Sequence, residues 1–110
     1  MKTTNYKFAH HHVHCEYSPW DAPISLKKLV EYSKKQGYRT VTVTDHGTVG
    51  SWVKLATMCK EQGVKPIFGI EAYFTHDRKL HTGGRDSYHL VLLAKNNQGI
   101  KNIFQLSELA

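Results

Sequence analysis

The chain has 110 residues, 40% hydrophobic and 22% charged, which is the composition of one small globular domain. No run approaches the roughly 18 apolar residues of a transmembrane helix, and the N-terminus lacks the apolar stretch of a secretory signal, so we expect a cytoplasmic protein without a membrane partner. The net charge of +6 comes from scattered basic residues, which favours a solvated surface over a dedicated nucleic-acid stripe but still tolerates a phosphate-bearing partner.

Predicted strands and helices alternate along the chain. The β-branched segment 40–44 is typical of a strand, and the apolar stripe of 25–36, followed by Gly37, is typical of a helix with a glycine stop. A polar loop is expected at 75–87. The alternation predicts an α/β fold of βαβ units with a mainly parallel sheet. The predicted strands are 8–14, 40–44, 65–74 and 88–95, and the predicted helices are 25–36, 49–62 and 97–109.

Two histidines lie two residues apart at the end of the first predicted strand. In an extended chain alternate side chains share a face, so His12 and His14 offer two imidazole nitrogens on one side. The alternative is a pair of hydrogen-bonded strand histidines without a ligand. Imidazole suits zinc, iron and manganese, so the pair predicts a transition-metal site without choosing the metal. Cys15 should point to the other side and is not expected to be a ligand.

The sequence Thr44-Asp45-His46-Gly47 follows the second predicted strand. It can be a simple turn, because Asp accepts backbone hydrogen bonds and Gly allows positive φ. Adjacent side chains on a strand diverge, so we expect only one of Asp45 and His46 to bind a metal. We favour His46 as the ligand. Asp45 would orient it or a neighbouring ligand, and in that role it is the candidate catalytic residue.

Three further residues extend the candidate site. Glu71 lies among apolar residues, where a carboxylate either faces away from the core or needs a cation; we favour a carboxylate that bridges two metals. His89 starts the fourth predicted strand, and Asp21 can bind metal or turn the chain before Pro23. Sites in α/β folds form at the carboxyl ends of strands. The predicted metal ligands are therefore His12, His14, Asp21, His46, Glu71 and His89.

The order of these motifs resembles that of the PHP (polymerase and histidinol phosphatase) superfamily. The shared pattern is H-x-H, then Asp, T-D-H-G, G-x-E and Y-H-L. Within the superfamily the chain is most similar to the N-terminal PHP domains of bacterial replicative DNA polymerase III alpha subunits. It departs from them around Asp21, where Pro19-Trp20 replaces a leucine-like pair and Ala22 replaces a glycine. The matching segments are 10–18, 44–47, 64–73 and 88–96.

The resemblance implies a distorted (β/α)7 barrel, of which residues 1–110 would be the N-terminal part of a PHP domain with the first three to four βα units. It implies that the six residues named above hold up to three divalent metals, with Zn, Mn or Fe as candidates. The activity it implies is a metal-dependent phosphoesterase or 3′–5′ exonuclease, in which water activated by metal attacks phosphorus. Polymerase activity is not expected from this chain alone.

The resemblance leaves two classes of function open. One is hydrolysis of DNA or another phosphodiester substrate. The other is a non-catalytic replication scaffold, or a small metal-binding protein, with a vestigial site. Family domains are longer and add later ligands, so this chain is expected to be a fragment, part of a split polymerase, or a reduced protein that associates with itself. Its expected protein partners are the remaining polymerase segments, other replication proteins or a second copy, which would cover open sheet edges.

Overall fold

The computed structural model describes residues 8–18, 20–80 and 87–109. The predicted helices and the three later strands are confirmed, with bounds that differ by at most a few residues. The part of the predicted loop at 81–86 lies outside the described residues. Within the described ranges, no helix is long and apolar enough to cross a membrane. In chain order the elements are α1 (Leu26–Lys35), β1 (Thr40–Val43), α2 (Trp52–Gln62), β2 (Lys65–Phe74), β3 (Tyr88–Leu93) and α3 (Asn97–Leu109).

Local capping defines where the first two helices begin and end. The Ser25 hydroxyl accepts a hydrogen bond from the Lys28 N–H at 3.2 Å, which satisfies one of the free donors at the start of α1. α2 ends at Gly63, which has a left-handed φ of 70° that glycine adopts without steric cost. α1 therefore begins, and α2 ends, where the sequence predicts.

The sheet contains a parallel and an antiparallel pair of strands in the order β1-β2-β3. β1 and β2 run parallel, with Thr40 opposite Lys65, and α2 connects them as a βαβ unit. β2 and β3 run antiparallel, with Tyr73 opposite His89. The prediction of a mainly parallel sheet is therefore wrong for this pair. A parallel connection needs a crossover, usually a helix, and none is assigned in the described parts of 75–87.

The predicted strand at 8–14 is also wrong, because these residues form no strand. The segment does meet the end of β1: the Thr44 N–H donates to the Val13 carbonyl at 2.7 Å. In return, however, the Val13 N–H donates to the Thr44 hydroxyl at 3.0 Å and not to a backbone carbonyl. A side chain takes the place of the ladder acceptor, so no regular pairing develops. The segment still brings His12 and His14 to the end of β1.

Two buried clusters hold the elements together. The larger one packs α1 and α2 onto β1 and includes both cysteines, which are buried and free. The smaller one joins α2, β2 and α3 through Trp52, Ile70 and Ile103. The Trp52 indole N–H also donates to the Gly69 carbonyl at 3.1 Å, so its polar atom is satisfied within the core. These contacts fix β2 in the middle of the domain, where it carries Glu71.

Candidate metal centre

The backbone holds His46 and Glu71 next to each other at the end of the parallel pair. A single parallel bridge joins the two residues beyond the end of β1. The Glu71 N–H donates to the Asp45 carbonyl, and the Gly47 N–H donates to the Glu71 carbonyl, each at 3.0 Å. His46 therefore lies beside the middle of β2, although 25 positions of sequence separate it from Glu71.

The reversed direction of β3 brings His89 to the same place. In an antiparallel pair the start of β3 lies beside the end of β2, and His89 is directly opposite Tyr73. Tyr73 and Glu71 are two residues apart on β2, so their side chains share a face. A parallel β3 would have placed His89 at the far edge of the sheet, because it lies near the start of its strand.

Glu71 is the centre of the cluster, with a side chain only 4% exposed. Its Oε2 lies 2.8 Å from His12 Nε2 and in direct contact with His14 Nε2. The same oxygen is 3.7 Å from His46 Nδ1, and Oε1 is 2.9 Å from His89 Nδ1. Burial raises the pKa of Glu71, but hydrogen bonds from His12 and His14 and the charge of His46 outweigh it, so the pKa of Glu71 is lowered overall.

Asp21 closes the cluster on the opposite side of His14 and His46. Its Oδ2 lies 3.1 Å from His46 Nε2 and contacts His14 Nδ1. His14 therefore has one ring nitrogen on Glu71 and the other on Asp21. The His46 ring also lies between these two carboxylates, but its Nδ1 is 3.7 Å from Glu71, too far for a hydrogen bond.

The six side chains predicted as ligands form three overlapping triads, and within each triad the ligand atoms lie within 4.8 Å of one another. His14, His46 and Glu71 each belong to two triads, so we call them the shared ligands of this candidate site. The unshared ligands, His12, Asp21 and His89, belong to one triad each. The triads are His12, His14 and Glu71; His14, Asp21 and His46; and His46, Glu71 and His89.

Exposure divides the ligands in the same way. The side chains of the shared ligands His14, His46 and Glu71 are 19%, 19% and 4% exposed. The unshared ligands are more exposed, at 55% for His12, 38% for Asp21 and 56% for His89. The cluster therefore has a buried base and an outer side that is open to solvent.

This donor set fits divalent transition metals. Imidazole nitrogen and carboxylate oxygen are ligands that zinc, manganese and iron accept in proteins. The nitrogen His46 Nδ1 also favours a bound cation, because it is buried and has no hydrogen-bond partner in the part of the chain that the structure describes. A buried polar atom without a partner is costly, and a bound cation would remove that cost. The arrangement can thus hold metal ions, whereas the donor set does not select one element.

Asp45 is the one predicted site residue that lies outside the triads. Its carboxylate is buried and accepts hydrogen bonds from the Cys15 N–H at 2.7 Å and from the Cys15 thiol at 3.2 Å. Burial, reinforced by Asp45, raises the pKa of Cys15 to about 12, so this residue is a thiol and a donor. Asp45 therefore binds the backbone next to His14, and among the described residues it forms no hydrogen bond or ion pair with an imidazole ring.

Sequence reasoning missed Ser18. This residue is 2% exposed, and its hydroxyl accepts a hydrogen bond from the His46 N–H at 3.1 Å. It ties the turn that carries Asp21 to the loop that carries His46. Its position within the first motif was the available signal, but a serine in a turn has many local hydrogen-bonding roles and does not reveal a distant partner.

Comparison with known proteins decides the family. The family model described as "PHP domain" matches residues 10–110, which is nearly the whole chain. The chain belongs to the PHP family. The resemblance predicted from its motifs is thus confirmed.

Curated relatives of this PHP chain are named DNA polymerase III subunit alpha. The chain is 39% identical to that of Aquifex aeolicus over 112 aligned residues and 40% identical to that of Treponema pallidum over 107, covering 94% of this chain in each case. It is 42% identical to that of Campylobacter jejuni over 102 residues, covering 92%. The PHP chain spans only 10%, 9% and 8% of the length of these relatives.

Two solved structures share the fold of this PHP chain. An amidohydrolase from Chromobacterium violaceum superimposes with a TM-score of 0.60 at 18% identity, covering 86% of this chain and 31% of that one. A protein from Bifidobacterium adolescentis, described as a metal-dependent phosphoesterase, gives a TM-score of 0.57 at 24% identity, covering 87% and 30%. At these identities the likeness shows the mixed α/β fold.

Proposed function

We propose that this PHP chain carries the ligand cluster of a metal-dependent phosphoesterase of the 3′–5′ exonuclease type, within a DNA polymerase III alpha subunit. The observation that carries the proposal is the meeting of six distant side chains in three overlapping triads. The relatives named DNA polymerase III subunit alpha support the replication context, and with that context we propose a cytoplasmic location. The solved neighbour described as a metal-dependent phosphoesterase supports the reaction class.

Each part of the cluster has a distinct task in this proposal. Up to three divalent cations (zinc, manganese or iron), when bound, would supply activated water and neutralise charge on a phosphoryl group. The shared ligands His14, His46 and Glu71 fix the geometry from the buried side. The unshared ligands leave the outer side open, which gives a phosphodiester an approach. Asp45 is a positioning residue, because it acts through Cys15 on the backbone of His14.

We also propose that residues 1–110 are the N-terminal part of a PHP domain that completes a distorted (β/α)7 barrel with further segments. The two solved neighbours support this, since the chain covers only 31% and 30% of their lengths. The remaining polymerase segments, other replication proteins or a second copy of the chain would then cover the open side of the sheet. DNA is the proposed substrate.

A non-catalytic replication scaffold is the second candidate function. The observation that favours it is a set of large hydrophobic side chains exposed on the sheet and on α3, which offers area for protein contacts. In this case the triads would bind metal for stability alone. The exposed side chains are Tyr73, Phe74, Tyr88, Leu90, Leu106 and Leu109.

The test combines metal analysis with hydrolysis. The protein is loaded with Mn²⁺ or Zn²⁺, desalted and analysed by plasma mass spectrometry, then incubated with single-stranded DNA labelled at its 5′ end. We expect bound metal and shortening from the 3′ end in the wild type. In the His12→Ala, His14→Ala double variant hydrolysis should be lost and bound metal should fall, because two of the three triads lose a ligand. The matched control is the double variant His10→Ala, His76→Ala, which removes two exposed histidines outside the triads.

The outcomes separate the two functions. Hydrolysis that continues unchanged in the double variant at 12 and 14 contradicts the enzymatic proposal. Metal that binds in the wild type without any hydrolysis of DNA or of bis(p-nitrophenyl) phosphate supports the scaffold. Metal binding that is equal in all three proteins contradicts the assignment of the triads.

A further inference from the structure

Trp20 has an unusual position for a tryptophan. Its side chain has a relative exposure of 105%, so nothing in the described residues covers it. It is also the one non-glycine residue there with a positive φ, at 63°. A left-handed backbone is disfavoured for residues with a Cβ, and tryptophan is highly buried on average. Neither the strained backbone nor the exposed indole is offset by packing against another described residue.

The turn that carries Trp20 is fixed to the ligand cluster on both sides. Before it, the Ser18 hydroxyl accepts the His46 N–H at 3.1 Å. After it, the Asp21 carboxylate lies 3.1 Å from His46 Nε2. The Asp21 N–H also donates to the Ser18 carbonyl at 3.4 Å, which closes the turn. The exposed indole is therefore anchored at the edge of one triad.

A second exposed aromatic ring adjoins the same histidine. Tyr73 is 58% exposed, and its ring stacks on His46 with centroids 6.2 Å apart and planes inclined by 16°. It also meets His89 edge to face at 5.3 Å. Because Tyr73 lies two residues after Glu71 on β2, it shares the face that carries the cluster. Tyr73 thus places exposed aromatic surface against His46, and Trp20 precedes Asp21, whose carboxylate contacts the same histidine.

We propose that Trp20, with Tyr73 as a second surface, stacks on the bases of single-stranded DNA whose phosphodiester lies at the triads. The inference rests on the proposed function, because it takes the triads as the place of the phosphate. Cations can hold a phosphate group, but a phosphate group does not stack on a flat apolar surface. Bases have π faces that stack on aromatic side chains whatever their sequence, and the net charge of +6 is compatible with a polyanionic strand.

The experiment compares two strands that differ only in their bases. Binding of a fluorescein-labelled thymidine decamer and of an abasic decamer is measured by anisotropy with Mn²⁺ present, and both strands carry the same phosphorothioate linkages to slow turnover. We expect the wild type to prefer the thymidine strand by about 5- to 150-fold, the range expected for base–aromatic stacking. Trp20→Ala should lose most of this preference, and Trp20→Phe should keep most of it. Tyr32→Ala removes a 52% exposed tyrosine from α1 and should keep the full preference.

A direct readout of stacking comes from fluorescence. The chain has two tryptophans, and Trp52 is buried, so in the Trp52→Phe variant Trp20 is the sole tryptophan emitter. The thymidine strand should quench this emission, whereas the abasic strand should not. If Trp52→Phe fails to fold, the difference between wild-type and Trp20→Ala spectra gives the same information, because Trp52 contributes equally to both.

The results distinguish this proposal from the proposed function. Equal binding of the two strands by the wild type, or an unchanged preference in Trp20→Ala, overturns the stacking proposal and points to a protein segment as the cover of Trp20. Neither result bears on metal retention or on the histidine double variant, which test the function separately. If the double variant keeps full hydrolysis, the function fails even where stacking on Trp20 is observed.

Discussion

The carboxylate of Asp45 binds Cys15 through both of its oxygens. One accepts the backbone N–H at 2.7 Å and the other accepts the thiol at 3.2 Å, and both residues are buried. The residue before Cys15 is His14, whose ring lies between Glu71 and Asp21. Asp45, which follows β1 and whose side chain diverges from that of His46, thus fixes the backbone next to another candidate ligand.

Replacing Asp45 should therefore weaken both folding and metal binding. Asp45→Ala leaves the buried Cys15 N–H without an acceptor, and we expect the free energy of unfolding to fall by about 2–4 kcal/mol, as for loss of a hydrogen bond to a charged group plus a small cavity. Metal affinity should fall about 10- to 100-fold because His14 loses its anchor. Urea unfolding and chelator competition measure the two effects. Glu61→Ala, an exposed carboxylate on α2, is the control, and unchanged metal affinity in Asp45→Ala would show that Asp45 does not position His14.

The overlap of the triads predicts a graded loss of metal. Replacing one of the unshared ligands His12, Asp21 or His89 by alanine should remove one metal equivalent, because each belongs to one triad. Glu71→Ala should remove two, because it belongs to two triads. Plasma mass spectrometry after loading and desalting measures the stoichiometry. Equal losses in Asp21→Ala and Glu71→Ala would mean that the cluster does not divide into the three triads.

Gly69 should not tolerate a side chain. An added Cβ would lie 2.7 Å from Leu93 Cδ2, 2.8 Å from Thr44 Cγ2 and 2.8 Å from the Leu92 carbonyl oxygen, which is backbone and cannot rotate away. We expect Gly69→Ala to lower the free energy of unfolding by about 1–3 kcal/mol, as for an overpacked core. Gly50→Ala is the matched control, since its Cβ would meet only two side chains, at 3.3 and 3.6 Å. Similar urea midpoints for the two variants would contradict the close packing of β2.

Cys59 should make stability fall at alkaline pH. Burial raises the pKa of this thiol from 9.0 to about 11, so the folded state keeps a proton that the unfolded state releases. Its contribution is complete below pH 9 and is lost as the pH rises towards 11. At pH 10.5 we expect a loss of about 2 kcal/mol relative to pH 8. Comparing the pH dependence of urea unfolding in the wild type and Cys59→Ala isolates this effect from that of Cys15, and parallel curves would refute it.

Local patterns in the sequence predicted most of the elements. β2 and α3 have the predicted bounds. A run of apolar residues that favour strands, and apolar residues at helical spacing, are both visible in the local sequence. Gly63 ends α2 for an equally local reason. The sequence also indicated that adjacent residues after β1 diverge, and the structure places His46 in the cluster and Asp45 against Cys15.

Features that depend on contacts between distant segments were harder to predict from the sequence. The direction of β3 depends on which neighbour it pairs with, and the sequence pattern of residues 88–93 fits a parallel and an antiparallel strand equally well. The usable signal was that 75–87 lacks a helical pattern, so this segment does not offer the helix that usually connects parallel strands. The prediction of repeated βαβ units did not take this into account. Similarly, 8–14 has the alternation of a strand, but the hydroxyl of Thr44 takes the place of a backbone acceptor. Neither outcome can be predicted from either segment alone.

The shared ligands also determine how bound cations would influence one another. A cation in one triad would hold two side chains that the adjacent triads also use, and so remove rotational freedom that the next cation would otherwise have to restrict. Like charges at such short separation would repel, and the carboxylate of Glu71 between them would reduce that repulsion. These opposing effects make the affinity of each position depend on the occupancy of its neighbours. The loading steps would therefore be coupled, and the metal titration would not fit three independent sites.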